Sequence, residues 1–174
     1  MPLFARLGHM RDAPLVKVGD WVALGQLLGY VGTSGASSGP HCHFDLFGLS
    51  YNDLKRLGGF TFYVYGWYRA RVASVFHDPI PFIKDGRPAP WTSPKIGYGF
   101  LQEVKSGWQT YRHPGIDVNG INDYGAPIKS PVEGRVMYSQ APKDRVWKRW
   151  FGWVPWGRGW GNMIVIEVKP GFIP

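Results

Sequence analysis

Residues 14–47 place the tightest limit on the fold. PLVKVGDWVALGQLLGYVG alternates apolar and polar positions and is punctuated by Gly19-Asp20, Gly25, Gly29 and Gly32, the signature of a β-meander with tight turns. The small-residue loop TSGASSG (33–39) leads into Pro40-His41-Cys42-His43-Phe44-Asp45-Leu46-Phe47, which reads as a further strand. Composition agrees. Gly 24, Pro 15 and 16% aromatics against 18% charged residues favour short strands over long surface helices. The expected class is all-β, a single antiparallel β-sandwich-like domain, since 174 residues suit one core. An apolar fraction of 44% excludes a disordered chain.

Elsewhere, SYNDLKRLGG (50–59) reads as a short helix with a glycine stop, and FTFYVYGWYRARVASVF (60–76) as β-rich and aromatic. His77 sits beside a Pro-rich turn and reads as structural. Residues 78–96, with a Pro-rich stretch from Gly86 to Pro94, form a connector. HPGIDVN, a turn at 121–125, APIKSPVEGRVMYS and GNMIVIEVKP then read as loop, hairpin and strand. Between the last two lies an insertion, Gln140 to Gly161, with Trp147, Trp150, Trp153, Trp156 and Trp160 among Lys143, Arg145, Lys148, Arg149 and Arg158. It has three readings: a substrate-groove wall with Trp153, Trp156 and Trp160 as contacts, a docking surface, or an extended hairpin packing its rings on the domain.

A net charge of +8 attracts polyanions, among them nucleic acid, anionic lipid and anionic wall polymer. No Lys/Arg run reaches five residues, which argues against a nucleic-acid tail. No apolar stretch approaches membrane-spanning length, and MPLFARLGHMRD lacks the pattern of a secretory signal. An extracellular substrate would then require delivery by a virion, a lysis system or a leader. Cys42, the only cysteine, excludes an intrachain disulfide and a cysteine-cluster metal site; it is expected in the core.

Two short motifs carry chemistry. His41 and His43 are two apart in a strand and share a face, so one can bind a metal while its neighbour sits over the open position. In His113-Pro114-Gly115-Ile116-Asp117, Pro and Gly argue against a helix interior; a turn entering a strand would converge both side chains. Two histidines and a carboxylate leave a fourth zinc position open, the pattern of a catalytic site.

GDWVALGQLLGYVGTSGASSGPHCHFD resembles the C-terminal half of the lysostaphin/LytM-type zinc endopeptidases, a duplicated hybrid-motif β fold. HPGIDVNGINDYGAPIKSPVEGRV and GWGNMIVIE resemble their N-terminal half. The resemblance implies one zinc ion on His113, Asp117 and His43, with His41 activating water or stabilising the oxyanion. Leu7-Gly8-His9-Met10 matches the segment carrying a further active-site histidine, so His9 is the second polarising residue; such donors are often worth ~3 kcal/mol each. Phe44-Asp45 replaces the usual Phe-Glu, a change expected to touch specificity rather than zinc binding.

The two blocks stand in the opposite order to the family's. A circular permutation is expected, with 1–77 equivalent to the C-terminal half, 78–96 a connector and 97–174 the N-terminal half; the alternative is a site completed by a neighbouring chain. The resemblance implies cleavage of peptide cross-links in peptidoglycan, which would be the partner. The lack of a signal pattern and the reversed order point to a phage-associated enzyme of tail or lysis, with virion tail proteins as further partners, and no nucleic acid is expected. The alternative is a non-catalytic tail or wall-binding module of the same fold. A lipoyl-carrier-like domain would need a lysine in the TSGASSG loop, which has none.

Overall fold

The computed structural model describes residues 1–64, 67–84, 95–106, 109–119 and 122–172. Residues 85–94 of the expected connector and position 121 of the expected turn lie outside them. The strands of the first half are β1 (Leu3–Met10), β2 (Trp21–Val22), β3 (Leu27–Tyr30), β4 (Cys42–Gly48) and β5 (Phe76–His77). The second half supplies β6 (Lys95–Ile96), β7 (Glu103–Ser106), β8 (Gln109–Arg112), β9 (Ile116–Asn119), β10 (Pro127–Lys129), β11 (Gly134–Gln140), β12 (Arg145–Lys148), β13 (Gly152–Pro155) and β14 (Asn162–Val168).

The main sheet runs β2-β11-β14-β1-β4-β9-β6, with β5 also on β4, and every pairing is antiparallel. All-β architecture is borne out. The central strands β14, β1 and β4 are buried almost throughout, because their near-continuous apolar runs are covered on both faces. On one face Leu7, Phe44, Leu46 and Ile166 pack with Leu28 of β3 and Ile128 of β10, which form a small second sheet. On the other, Phe4, Phe47 and Val165 pack with Phe62, Val72 and Phe76. Cys42 is fully buried in the first of these cores.

The helix expected near residue 51 is present as α1 (Tyr51–Arg56). Ser50 caps it by accepting from the Asp53 N–H, and Gly58 and Gly59, both at positive φ, end it. The β-rich expectation for 60–76 is corrected. Only Phe76–His77 is strand in the described part, whereas Arg69–Val75 forms helix α2. The two-residue alternation of Arg69-Ala70-Arg71-Val72 breaks at Ala73, and only Val72 of this helix is buried. Phe60, Phe62 and Trp67 before it pack in or against the core and are not strand. A short helix α3 (Ile80–Lys84) follows. No helix among the described residues is long and apolar enough to cross a membrane.

Candidate metal centre

β4 is the axis of the site. Its register sets Gly8 of β1 opposite His43 on one side and Asp117 of β9 opposite on the other. The two distant motif blocks therefore meet within one chain, on neighbouring strands. His113 lies in the turn before β9, as expected. Gly115 permits that turn to approach β4: a β-carbon there would stand 2.2 Å from the Phe44 carbonyl oxygen, closer than any side chain tolerates.

His43, His113 and Asp117 offer ligand atoms all within 4.8 Å of one another. His43 Nδ1 and His113 Nε2 face the same carboxylate oxygen, Asp117 Oδ1, at 3.0 and 3.1 Å. Donors bound to one tetrahedral zinc at about 2.0–2.1 Å would sit roughly 3.3 Å apart, so the spacing fits. The outward nitrogens fit as well. His113 Nδ1 is 2.9 Å from the Gly115 carbonyl, which can only accept, so that nitrogen carries the hydrogen and Nε2 is bare. His43 Nε2 donates to Asp45 Oδ2 at 2.9 Å, turning Nδ1 inward. Each histidine is thus oriented by an outer acceptor, as metal-ligating histidines usually are.

Asp45 is part of this centre and not a remote specificity position, which corrects the expectation from sequence. Its Oδ2 also accepts from Arg6 Nε and Nη2 at 3.1 and 2.6 Å, while Oδ1 has no hydrogen-bond partner. Arg6 is fully buried, donates to the Phe60 carbonyl at 2.9 Å, and lies 3.7 Å over the Trp160 ring. Sequence reasoning missed Arg6. The available signal was its position on β1, on the same face as the residues opposite His43.

His9 and His41 complete the cluster, their ring centroids 4.7 Å apart. The β1–β14 register slips between Leu7 and Met10, and His9 sits there at φ 63°; this bulge re-aims the imidazole toward the site. His9 Nδ1 donates to the Ser34 carbonyl at 2.7 Å, and His41 Nδ1 to the Gly39 carbonyl at 2.9 Å. The TSGASSG loop therefore orients both rings and leaves both Nε2 atoms bare. His41 Nε2 stands 3.6 Å from Asp117 Oδ2. Burial, reinforced by His41 and His43, holds His9 well below the usual histidine range, and burial also lowers His41. Both are neutral bases at pH 7.

For His43, burial opposes the charge, but hydrogen bonds to Asp117 and Asp45 outweigh it and raise the metal-free imidazole to about 9. Burial likewise opposes ionisation of Asp117, yet His113 and His43 hold it well below the usual carboxylate range. Four carbonyl-anchored or carboxylate-anchored imidazoles and a firmly ionised carboxylate thus converge.

The cluster opens into a cleft of about 570 Å³. Trp160 and Trp156 line it, with Tyr98, Tyr111, Lys105 and Trp147. Trp160 is largely buried, 5.2 Å from the His43 ring, and forms the floor. Trp153 does not line the cleft; its cross-strand partner Trp147 does. Lys148 Nζ donates to the Thr33 and Ser37 carbonyls at 2.6 and 2.5 Å and ties the insertion to the histidine loop. His77 lies away from the centre, paired with Leu46 at the far end of β4.

An antiparallel β-sheet thus presents two histidines and a carboxylate at the floor of an open cleft, a donor set that could hold a metal ion. The sequence pattern of Peptidase family M23 matches residues 2–53, the stretch holding His9, His41 and His43. Over that stretch the chain is similar to this lysostaphin/LytM-type family. It is similar to lysostaphin of Staphylococcus staphylolyticus and to lysostaphin of Staphylococcus simulans, each 29% identical over 98 residues. Those alignments cover 56% of this chain and 15% of each relative, so the chain spans a small part of their length. No solved structure gives a significant match.

Proposed function

We propose that the chain is a zinc endopeptidase that hydrolyses peptide bonds of bacterial peptidoglycan, with one zinc ion on His43, His113 and Asp117. The observation that carries this reading is the inward pairing of His43 Nδ1 and His113 Nε2 on one Asp117 oxygen, each outer nitrogen already committed. Zinc bound there would supply Lewis acidity, acidifying water and polarising a carbonyl. The chain's own residues do the rest. His9 and His41, neutral with bare Nε2 atoms, accept the proton of the attacking water. Once protonated, the same Nε2–H donates to the developing oxyanion and then to the leaving amine. Gly39 and Ser34 carbonyls hold these rings in the required tautomer. The cleft walls exclude water and orient the peptide.

The reversed block order is read as a circular permutation of the family domain, supported by β1 pairing with both β14 and β4 in one sheet. The finer reading, delivery by a phage tail or lysis system, draws on the reversed block order. The test is zinc content and turbidity clearing of purified cell walls for wild type and His43→Ala. Wild type is expected to hold one zinc and clear walls, and the variant to do neither. Wild type that binds no metal and clears nothing sinks the proposal; zinc without clearing points to a non-catalytic module.

A further inference from the structure

The β12–β13 hairpin carries aromatic surface that the reaction does not use. Its register pairs Trp147 with Trp153, and both rings stand on the outer face at 61% and 66% exposure, edge to face at 5.8 Å. Trp150 at the turn is 80% exposed, with Arg149 5.0 Å over its ring. These rings do not hold the hairpin in place. That is done from the inner face by Lys148 on the Thr33 and Ser37 carbonyls, by buried Val154, and by Gly35 N–H donating to the Pro155 carbonyl at 2.7 Å.

Two further facts point to an occupant. Trp147 also lines the cleft, so the row of rings begins at the cleft rim and runs outward from it. Residues 140–161 hold five cations against the single carboxylate of Asp144, a net +4 of the chain's +8. A ligand here presents apolar ring faces to tryptophan and anionic groups to arginine.

We infer that the Trp147–Trp150–Trp153 face is a second binding site for the glycan strand of the polymer whose peptide occupies the cleft. Sugar C–H faces stack on the tryptophans while carboxylates of neighbouring stem peptides meet Arg145 and Arg149. This rests on the peptidoglycan reading and adds to it a grip on sugar that a short peptide cannot use. Remote contacts of this kind raise the local concentration of scissile bonds.

The test compares wild type with Trp150→Ala/Trp153→Ala, residues outside the cleft lining, and with Trp150→Ala alone as a control on folding. Four probes are used: purified sacculi, soluble peptide-free glycan strands, phosphatidylglycerol vesicles, and a short cross-link peptide. Wild type is expected to bind sacculi and glycan strands, and the double variant to lose about tenfold or more of both, Trp150→Ala falling between. Hydrolysis of the short peptide is expected to stay within about twofold. Unchanged sacculus and glycan binding in the variants overturns the inference, as does wild type preferring vesicles to glycan strands. Wild type that binds glycan but cuts neither peptide nor sacculi overturns the peptidase reading and leaves this site standing.

Discussion

Arg6 and Arg149 each lie over a tryptophan ring, 3.7 Å above Trp160 and 5.0 Å above Trp150. Arg6 is fully buried, and its guanidinium is consumed by Asp45 and the Phe60 carbonyl. Arg149 is exposed on a ring that is itself 80% exposed. One contact type thus serves two ends. In the low-dielectric interior it fixes a charge that in turn fixes a histidine, and every partner must be present. At the surface the same pair is solvated, weak, and free to exchange water for a ligand.

The largest effect expected from breaking the contrast is in stability. Arg6→Met leaves buried Asp45 without its guanidinium partner and with only His43 beside it, at a cost of about 3–5 kcal/mol, measurable by urea unfolding of the metal-free protein. A cost below about 1 kcal/mol would mean that the buried pair is not the scaffold of the site. Next comes metal affinity. Asp45→Leu, which removes the acceptor for His43 Nε2, should weaken zinc binding about 100-fold, and Asp45→Asn about tenfold. Equal losses would show that charge, not orientation, is what His43 needs.

The pH dependence follows. His43, raised to about 9 without metal, is protonated at neutral pH, and zinc must displace the proton on Nδ1. Apparent affinity should therefore rise about tenfold per pH unit from pH 7 and level off above about 9, with one proton released per zinc in calorimetry across buffers. A flat profile would remove His43 from the ligand set. The smallest effect belongs to the outer pair: Arg149→Met should change stability by less than about 0.5 kcal/mol.

Much of the site was legible because its signals are local. Two-residue spacing puts His41 and His43 on one face whatever surrounds them, and Pro114-Gly115 demands a turn between His113 and Asp117. The Ser50-capped helix is equally local, whereas the meander expected over 14–47 is corrected: β2, β3 and β4 pair with β11, with β10, and with β1 and β9, not with one another. What escaped is long-range. Arg6 meets Asp45 across 39 residues and Trp160 across 154, and no pattern within either segment announces the pairing. Asp45 read as a conservative exchange because its role shows only when the strand geometry sets it beside the outer nitrogen of His43. Residues 60–76 misled because their aromatic content looks like strand, whereas those rings fill the core against Phe47 and Phe4.

The place of β1 between β14 and β4 has a consequence for biosynthesis. Residues 3–10 are made about 150 residues ahead of 162–168, one of their two flanking strands. Contacts so distant in sequence form slowly, and the His9 backbone is held by Trp160. A nascent chain can therefore assemble neither the bulge nor the floor beneath it until residues 160–168 have emerged, so the histidine cluster stays unformed while the intervening segment is being made.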